Sequence, residues 1–336
     1  MASNLTIYTT APWQVIVNQA IGVSFILASP LICVGNFASI VGIIQEYRLH
    51  TTTMGLILNM AFADFLTGIF VCGYEAFVYL KDEGLLLHYK WYCHWVNFLA
   101  IIFIGQSLFT NLLLSVERYI AICHPFKHLI WVTKNRLLIC VLCGWFYCIS
   151  MALVPLVTER NRWDKILVAC TPKHVYPKMF VMFIYVHIVA VVISNFYFQI
   201  RVAQQVFKQH KRISEMLQIH PANAKVLDRK AEIKKGKLTV ILFLAFMICW
   251  GPYIVASPLN VYVNSELLLA VRDTSFVLGT FNSFSNFFIY TWKNKELRHS
   301  AFRVFKCDFG SRQHGASSST ATNSSQHSHR LDTIHA

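Results

Sequence analysis

Charge is what this chain has least of. Only 14% of its 336 residues are Asp, Glu, Lys or Arg, while 55% are hydrophobic. With a mean hydropathy of +0.47, that balance excludes an ordinary soluble domain and points to a membrane protein. Acids are scarcer than bases, 16 against 30, leaving a net charge of +14. The excess does not imply a nucleic-acid partner, because the basic residues sit between apolar runs, as the cytoplasmic loops of membrane proteins do. Ten cysteines are scattered, mostly inside apolar runs, and form neither a disulfide framework nor paired zinc spacings. No internal repeat is visible, so an inverted-repeat transporter gains no support. The first 45 residues carry no charged side chain. A secretory signal peptide would need a basic n-region, so the first apolar run is expected to act as its own insertion signal.

What the chain does have is seven apolar runs, read as 18–45, 53–80, 92–121, 137–157, 177–205, 235–263 and 271–292. The second is the least certain, being interrupted by Asp64 and Glu75. Only helices or closed barrels satisfy their backbone in lipid, and runs this long without period-two alternation favour helices. The third run is the most informative. Between Cys93 and Glu117 there is no charged residue, and a helix from Cys93 to Tyr119 would be roughly 40 Å long. It can hold a cysteine at an oxidising outer face and Glu117-Arg118-Tyr119 at the other. With the amino terminus outside, 22 of the 30 Lys and Arg residues fall on the cytoplasmic side, the arrangement the positive-inside rule favours.

The fold class expected is therefore an all-α membrane protein, a seven-transmembrane helix bundle with a short amphipathic membrane-surface helix after the seventh span. Residues 1–17 form an extracellular tail, 18–292 the membrane domain, 293–307 the amphipathic helix and 308–336 a disordered cytoplasmic tail rich in Ser, Thr and His. In the amphipathic segment Leu297, Ala301, Val304 and Phe305 share a face, with Lys295, Arg298 and Arg303 available to lipid headgroups. Asn4 lies in a glycosylation triplet, and Cys307 is a candidate for palmitoylation.

Seven landmarks then follow in order: Gly35-Asn36; Leu58 to Asp64; Cys93 with Glu117-Arg118-Tyr119; Trp145 and Pro155; Tyr197; Phe246 with Cys249-Trp250-Gly251-Pro252; and Asn286 to Tyr290. In this order and spacing the chain, over residues 20–307, resembles the rhodopsin-like, or class A, G-protein-coupled receptors. The resemblance implies a plasma-membrane receptor, not an enzyme, that converts an extracellular ligand into nucleotide exchange on a heterotrimeric G protein. Arrestin and a receptor kinase would act at the Ser/Thr-rich tail. It implies a Cys93–Cys170 disulfide and an inactive-state lock in which Arg118 pairs with Glu117 and with Glu232. It further implies a switch formed by Tyr119, Tyr197, Phe246, Trp250, Pro252, Asn286 and Tyr290. Asp64 is costly in mid-membrane unless compensated. By resemblance it binds sodium with Ser107, Asn282, Ser283 and Asn286; the alternative is a protonated Asp64 in a hydrogen-bonded network. No other cofactor is expected. Trp145 reads as a packing residue.

Positions matching the family's pocket are Glu75, Asn97, Ala100, Ile101, His187, Trp250, Tyr253, Ser257, Phe276 and Thr280. Ala100 stands where amine receptors carry an aspartate, which argues against a biogenic amine and leaves peptide, lipid or indole-like ligands. Thr280 stands where opsins carry the retinal lysine, so an opsin-like relative could not form the Schiff base. The chain departs from the family pattern at Phe287 and Val189, both normally proline, and at Asn111, normally aliphatic. A non-signalling receptor-like partner protein and a seven-helix transporter or channel remain as rival readings.

Overall fold

The computed structural model describes residues 12–80, 90–158, 175–219, 224–263 and 265–305. Asn4, Cys170 and Cys307 lie outside them. Seven long helices follow one another: Pro12–Gln45, Thr52–Leu80, Lys90–Cys123, Lys134–Thr158, Lys178–Ile219, Ala224–Tyr262 and Glu266–Lys293. They are called the first to the seventh helix below. Short helices Pro125–Trp131 and Lys295–Phe305 follow the third and the seventh.

Six of the long helices are apolar enough to cross a membrane. The seventh is not, by hydropathy, whereas the second, the least certain run in the sequence, is. The reason is where its side chains go: Ser275, Thr280, Asn282, Ser283, Asn286 and Thr291 are all buried. A helix whose polar face is enclosed by protein need not be apolar all round. The fourth helix is the opposite case, with Leu138, Leu142, Phe146 and Val157 exposed on an apolar outer face.

The third helix is central, packing on the second, fourth, fifth and sixth. The first helix packs on the second and the seventh, and Asn36 Nδ2 donates to the Ser283 carbonyl at 3.2 Å. A π-helical stretch, Thr67–Cys72, interrupts the second helix. Such wide turns loosen the backbone ladder, and here Ser29 Oγ donates to the Gly68 carbonyl at 2.8 Å. Pro252 lies inside the sixth helix, where it withholds an N–H from the preceding turn.

Several expected boundaries shift. The first helix begins at Pro12, within the segment read as tail. The stretch between the fifth and sixth apolar runs is largely helical, because the fifth helix runs to Ile219 and the sixth begins at Ala224. Val202, Val206, Ile233 and Ile122 explain this: they form a buried cluster that carries the helices past the membrane. The last helix packs on the first. Leu297 and Ala301 are buried, Ser300 Oγ donates to the Gly42 carbonyl at 3.0 Å, and Asn294 Oδ1 caps the amides of Glu296 and Leu297. Arg303 pairs with Glu46 at 3.1 Å, so it is held by protein instead of standing free for lipid headgroups.

Candidate functional site

The helices enclose a cavity of about 240 Å³ that reaches from the outer mouth down to Asp64. Glu75, Asn97, Ala100, Ile101, His187, Trp250, Tyr253 and Phe276 line it. Ser257 and Thr280 do not: the Ser257 hydroxyl is hydrogen-bonded to that of Tyr185, and Thr280 Oγ1 donates to the Val277 carbonyl at 2.7 Å. Both hydroxyls are spent inside the protein, which corrects their placement as ligand contacts. In their stead the wall carries Tyr79, Tyr185 and Arg272. Arg272 is buried and bonded to its neighbour Asp273 through Nε at 2.6 Å and through Nη2. An adjacent Arg-Asp pair at the end of a run reads in sequence as an ordinary interfacial pair, so no local signal marked it. Aromatic rings pave the floor. Trp250 lies edge-on to Phe276 and Tyr253, with centroids 6.0 and 5.7 Å apart. It rests on Gly279, where a Cβ would fall 2.7 Å from the indole Cε3; only glycine permits that approach.

Near the amino-terminal end of the third helix, Cys93 is buried and engaged in a disulfide. Its expected partner Cys170 lies outside the described residues.

Below the floor, Asp64 is wholly enclosed. Its Oδ1 accepts from Ser107 Oγ at 2.9 Å and Ser283 Oγ at 2.8 Å, and its Oδ2 from Asn286 Nδ2 at 3.1 Å. Asn282 Oδ1 and Asn286 Oδ1 are buried without a hydrogen-bond partner among the described residues. A carboxylate among hydroxyl and amide oxygens, two of them unsatisfied, matches what a hard cation requires. These residues therefore fit a sodium ion. Nearby, Trp145 Nε1 donates to Asn59 Oδ1 at 2.9 Å, and Asn59 Nδ2 to Thr110 Oγ1 at 2.7 Å. Trp145 thus ties the fourth helix to the second and third as well as packing. A second network joins the third and fifth helices. Asn195 Nδ2 donates to Asn111 Oδ1 at 3.2 Å, Ser115 Oγ to Asn195 Oδ1 at 2.6 Å, and Gln199 Nε2 to Ser115 Oγ at 2.6 Å.

At the carboxyl-terminal end of the third helix Arg118 is 1% exposed. It bonds to Glu117 through Nε and Nη2, to Glu232 through Nη1 at 2.8 Å, and to Thr53 Oγ1 through Nη2 at 2.9 Å. His128 Nε2 lies 3.0 Å from Glu117 Oε1, and Lys235 Nζ donates to Glu232 Oε1 at 2.7 Å. Thr53 and His128 were not foreseen from sequence, because each reaches the pair from another segment; Lys235 is a neighbour of Glu232 on the sixth helix. Tyr119 packs against Phe198 with the rings tilted and their centroids 5.3 Å apart. Tyr290 is buried, its hydroxyl without a partner among the described residues, whereas Tyr197 is 54% exposed. Phe246 and Trp250 share one buried cluster on the sixth helix. The third helix thus carries both Ser107 of the polar centre and Arg118, and the sixth carries both Trp250 of the cavity floor and Glu232.

The comparisons with known proteins agree with this arrangement. The family described as "7 transmembrane receptor (rhodopsin family)" matches residues 35–290. The mouse protein named Trace amine-associated receptor 9 is 25% identical over 313 residues, 89% of this chain and 88% of that protein. Octopamine receptor beta-1R of Drosophila melanogaster is 23% identical over 317 residues, 85% of this chain and 61% of that protein. A probable glycoprotein hormone G-protein coupled receptor of Anthopleura elegantissima is 25% identical over 303 residues, 85% of this chain but 31% of its own length. With most of its length matched by that family, the chain belongs to the rhodopsin family of seven-transmembrane receptors, as a multi-pass membrane receptor and not an enzyme.

Proposed function

We propose that the protein binds an extracellular ligand in the cavity above Trp250 and, in response, drives nucleotide exchange on a heterotrimeric G protein. Its amino terminus would be outside the plasma membrane. The observation that carries this reading is the buried Arg118 cluster at the cytoplasmic end of the helix that lines the cavity. Arg118 is held by two acids on two helices, Glu117 and Glu232. A buried ion pair of this kind resists opening yet can exchange partners, which makes a bistable element a ligand can bias. Tyr197, exposed, and Tyr290, buried with an unpaired hydroxyl, would accompany Arg118 into the open state. Asp64, Ser107, Asn282, Ser283 and Asn286 would hold a sodium ion, which supplies positive charge at the buried carboxylate.

The ligand reading follows from Ala100. Two of the relatives are named for amines, but the third-helix wall here offers a methyl group and no carboxylate. A biogenic amine held from the third helix is therefore disfavoured against a peptide, lipid or indole-like ligand. Arrestin and a receptor kinase would act at the tail, Asn4 would carry glycan, Cys307 would carry palmitate and Cys93 would pair with Cys170. The test is ligand-free G-protein activation in cells across the G-protein classes, comparing wild type with Arg118→Ala at matched surface levels. Basal activity lost in the variant is the expected result. Basal activity that survives Arg118→Ala would overturn the role given to that residue.

A further inference from the structure

The cavity wall made by the second and seventh helices carries a carboxylate that the protein leaves unanswered. Glu75 lines the cavity, and among the described residues no side chain donates a hydrogen bond to it. The nearby cation is already engaged. Arg272 gives Nε and Nη2 to Asp273 Oδ1. Glu75, Asp273 and Arg272 lie within electrostatic reach of one another, so this corner holds two acids against a single guanidinium. A carboxylate facing a membrane cavity without a donor is costly unless an incoming group compensates it. The surrounding surface suits a particular kind of group. Tyr79 lies one helical turn beyond Glu75, and Phe276 one turn beyond Arg272. Both line the cavity, and Tyr253 packs on Phe276 with ring centroids 5.2 Å apart. A carboxylate beside aromatic faces is the chemistry that selects an organic cation over a metal ion or a neutral solute.

We propose that Glu75 receives the cationic group of the ligand, an ammonium or a guanidinium, seated against Tyr79 and Phe276 between the second and seventh helices. The proposal rests on the receptor reading above and names the ligand's charge. It places the cation on the second and seventh helices instead of at Ala100 on the third. Of the classes named above, a peptide with a basic group fits and a neutral lipid does not. A small arylalkylamine presents the same charge, so the test carries an arm for each source.

The test uses the full chain purified in detergent micelles, with thermal unfolding as the readout, since a bound ligand raises the melting temperature by mass action. The probes are phenethylammonium for a free amine and an acetylated, amidated Phe-Arg dipeptide for a peptide. 2-Phenylethanol and the citrulline version of the dipeptide are their neutral isosteres, and 3-phenylpropionate is an anionic control. At millimolar concentration at least one cation should raise the melting temperature while its isostere does not, and the responding arm identifies the source. Glu75→Gln should weaken that apparent affinity by roughly 10- to 100-fold, the worth of a charge-assisted contact. Glu75→Asp should keep the preference for the cation, which decides the matter even where Glu75→Gln folds poorly. Equal shifts from cations and isosteres, a larger shift from the anion, no shift from either cation, or a Glu75→Gln titration like wild type would each overturn the proposal. None of these results touches the basal-activity test with Arg118→Ala, so failure of the ligand assignment and failure of the receptor reading are separable.

Discussion

Glu232→Ala should raise ligand-free signalling by a modest and calculable amount. Arg118 spends its guanidinium on three partners, and they differ in environment. Glu117 and Thr53 are buried, while the Glu232 side chain is 33% exposed and shares its carboxylate with Lys235 at 2.7 Å. A charge-assisted hydrogen bond contributes about 1.5–3 kcal/mol when enclosed, and an exposed ion pair about 0.2–1 kcal/mol. The Arg118–Glu232 pair lies between these limits, so about 1 kcal/mol is a fair value. That shifts the opening equilibrium about fivefold: an open fraction on the order of 1% would become about 5%. Lys235 provides a check on the sign. It draws charge away from Glu232, so Lys235→Ala should tighten the hold on Arg118 and lower basal signalling. Glu117→Gln acts on a buried partner, where breaking a pair costs about 3–5 kcal/mol, and should raise basal activity more than Glu232→Ala wherever the protein still reaches the surface. The assay is constitutive G-protein dissociation at matched surface expression. The reasoning is refuted if Glu232→Ala leaves basal activity unchanged while Glu117→Gln raises it, or if Glu232→Ala and Lys235→Ala move it in the same direction.

Three other outcomes follow from the geometry. Asn111→Leu should lower the melting temperature by the equivalent of about 1–3 kcal/mol, because Asn195 Nδ2 loses its acceptor inside the bundle. Adding Asn195→Leu should recover part of the loss, and strictly additive effects would show that the two amides do not interact. Replacing choline by sodium in the buffer should stabilise purified wild type but not Asp64→Asn; sodium stabilisation that persists in the variant would place the ion elsewhere. Cys93→Ala and Cys170→Ala should each cut surface expression, with the double variant no worse than either, and near-normal surface levels in both singles would remove the bridge.

Individual residues with a strong chemical reason to be where they are were legible before the structure. Asp64 stands out because a carboxylate in an apolar run needs partners, and the structure supplies them from the third and seventh helices. Arg118 stands out because an acid–base pair ends an uncharged run. Residues whose role depends on another segment were not legible. Thr53 is an unremarkable helix-start threonine until Arg118 Nη2 reaches it, and His128 is one histidine among 14. Ser257 and Thr280 show the reverse error. The family resemblance placed them at the pocket, but a hydroxyl can be engaged by its own surroundings, and a matching position does not reveal which way it turns. The cytoplasmic reach of the fifth and sixth helices was hidden for a related reason. Hydropathy ends at the membrane, whereas helical structure continues wherever a stripe such as Val202, Val206 and Ile233 is buried.

The two missing prolines gain a physical meaning from the structure. Phe287 stands where the family usually has proline, and its ring occupies the groove at Gly35: a Cβ there would meet Phe287 Cδ1 at 2.7 Å. The landmark glycine of the first helix is thus the receptor of this side chain. Asn286, one residue earlier, still reaches Asp64, so contact with the buried carboxylate does not require the proline. Val189 is 41% exposed, on the outer side of the fifth helix. Six and ten residues further along the chain, that helix presents Asn195 and Gln199 to Asn111 and Ser115 on the third. Asn111, Phe287 and Val189 look in sequence like three separate departures. In the structure, Asn111 belongs to a hydrogen-bonded clamp on the fifth helix, and Phe287 to an aromatic–glycine contact on the seventh. Where a proline would bend each of these helices, side-chain contacts here tie them to their neighbours.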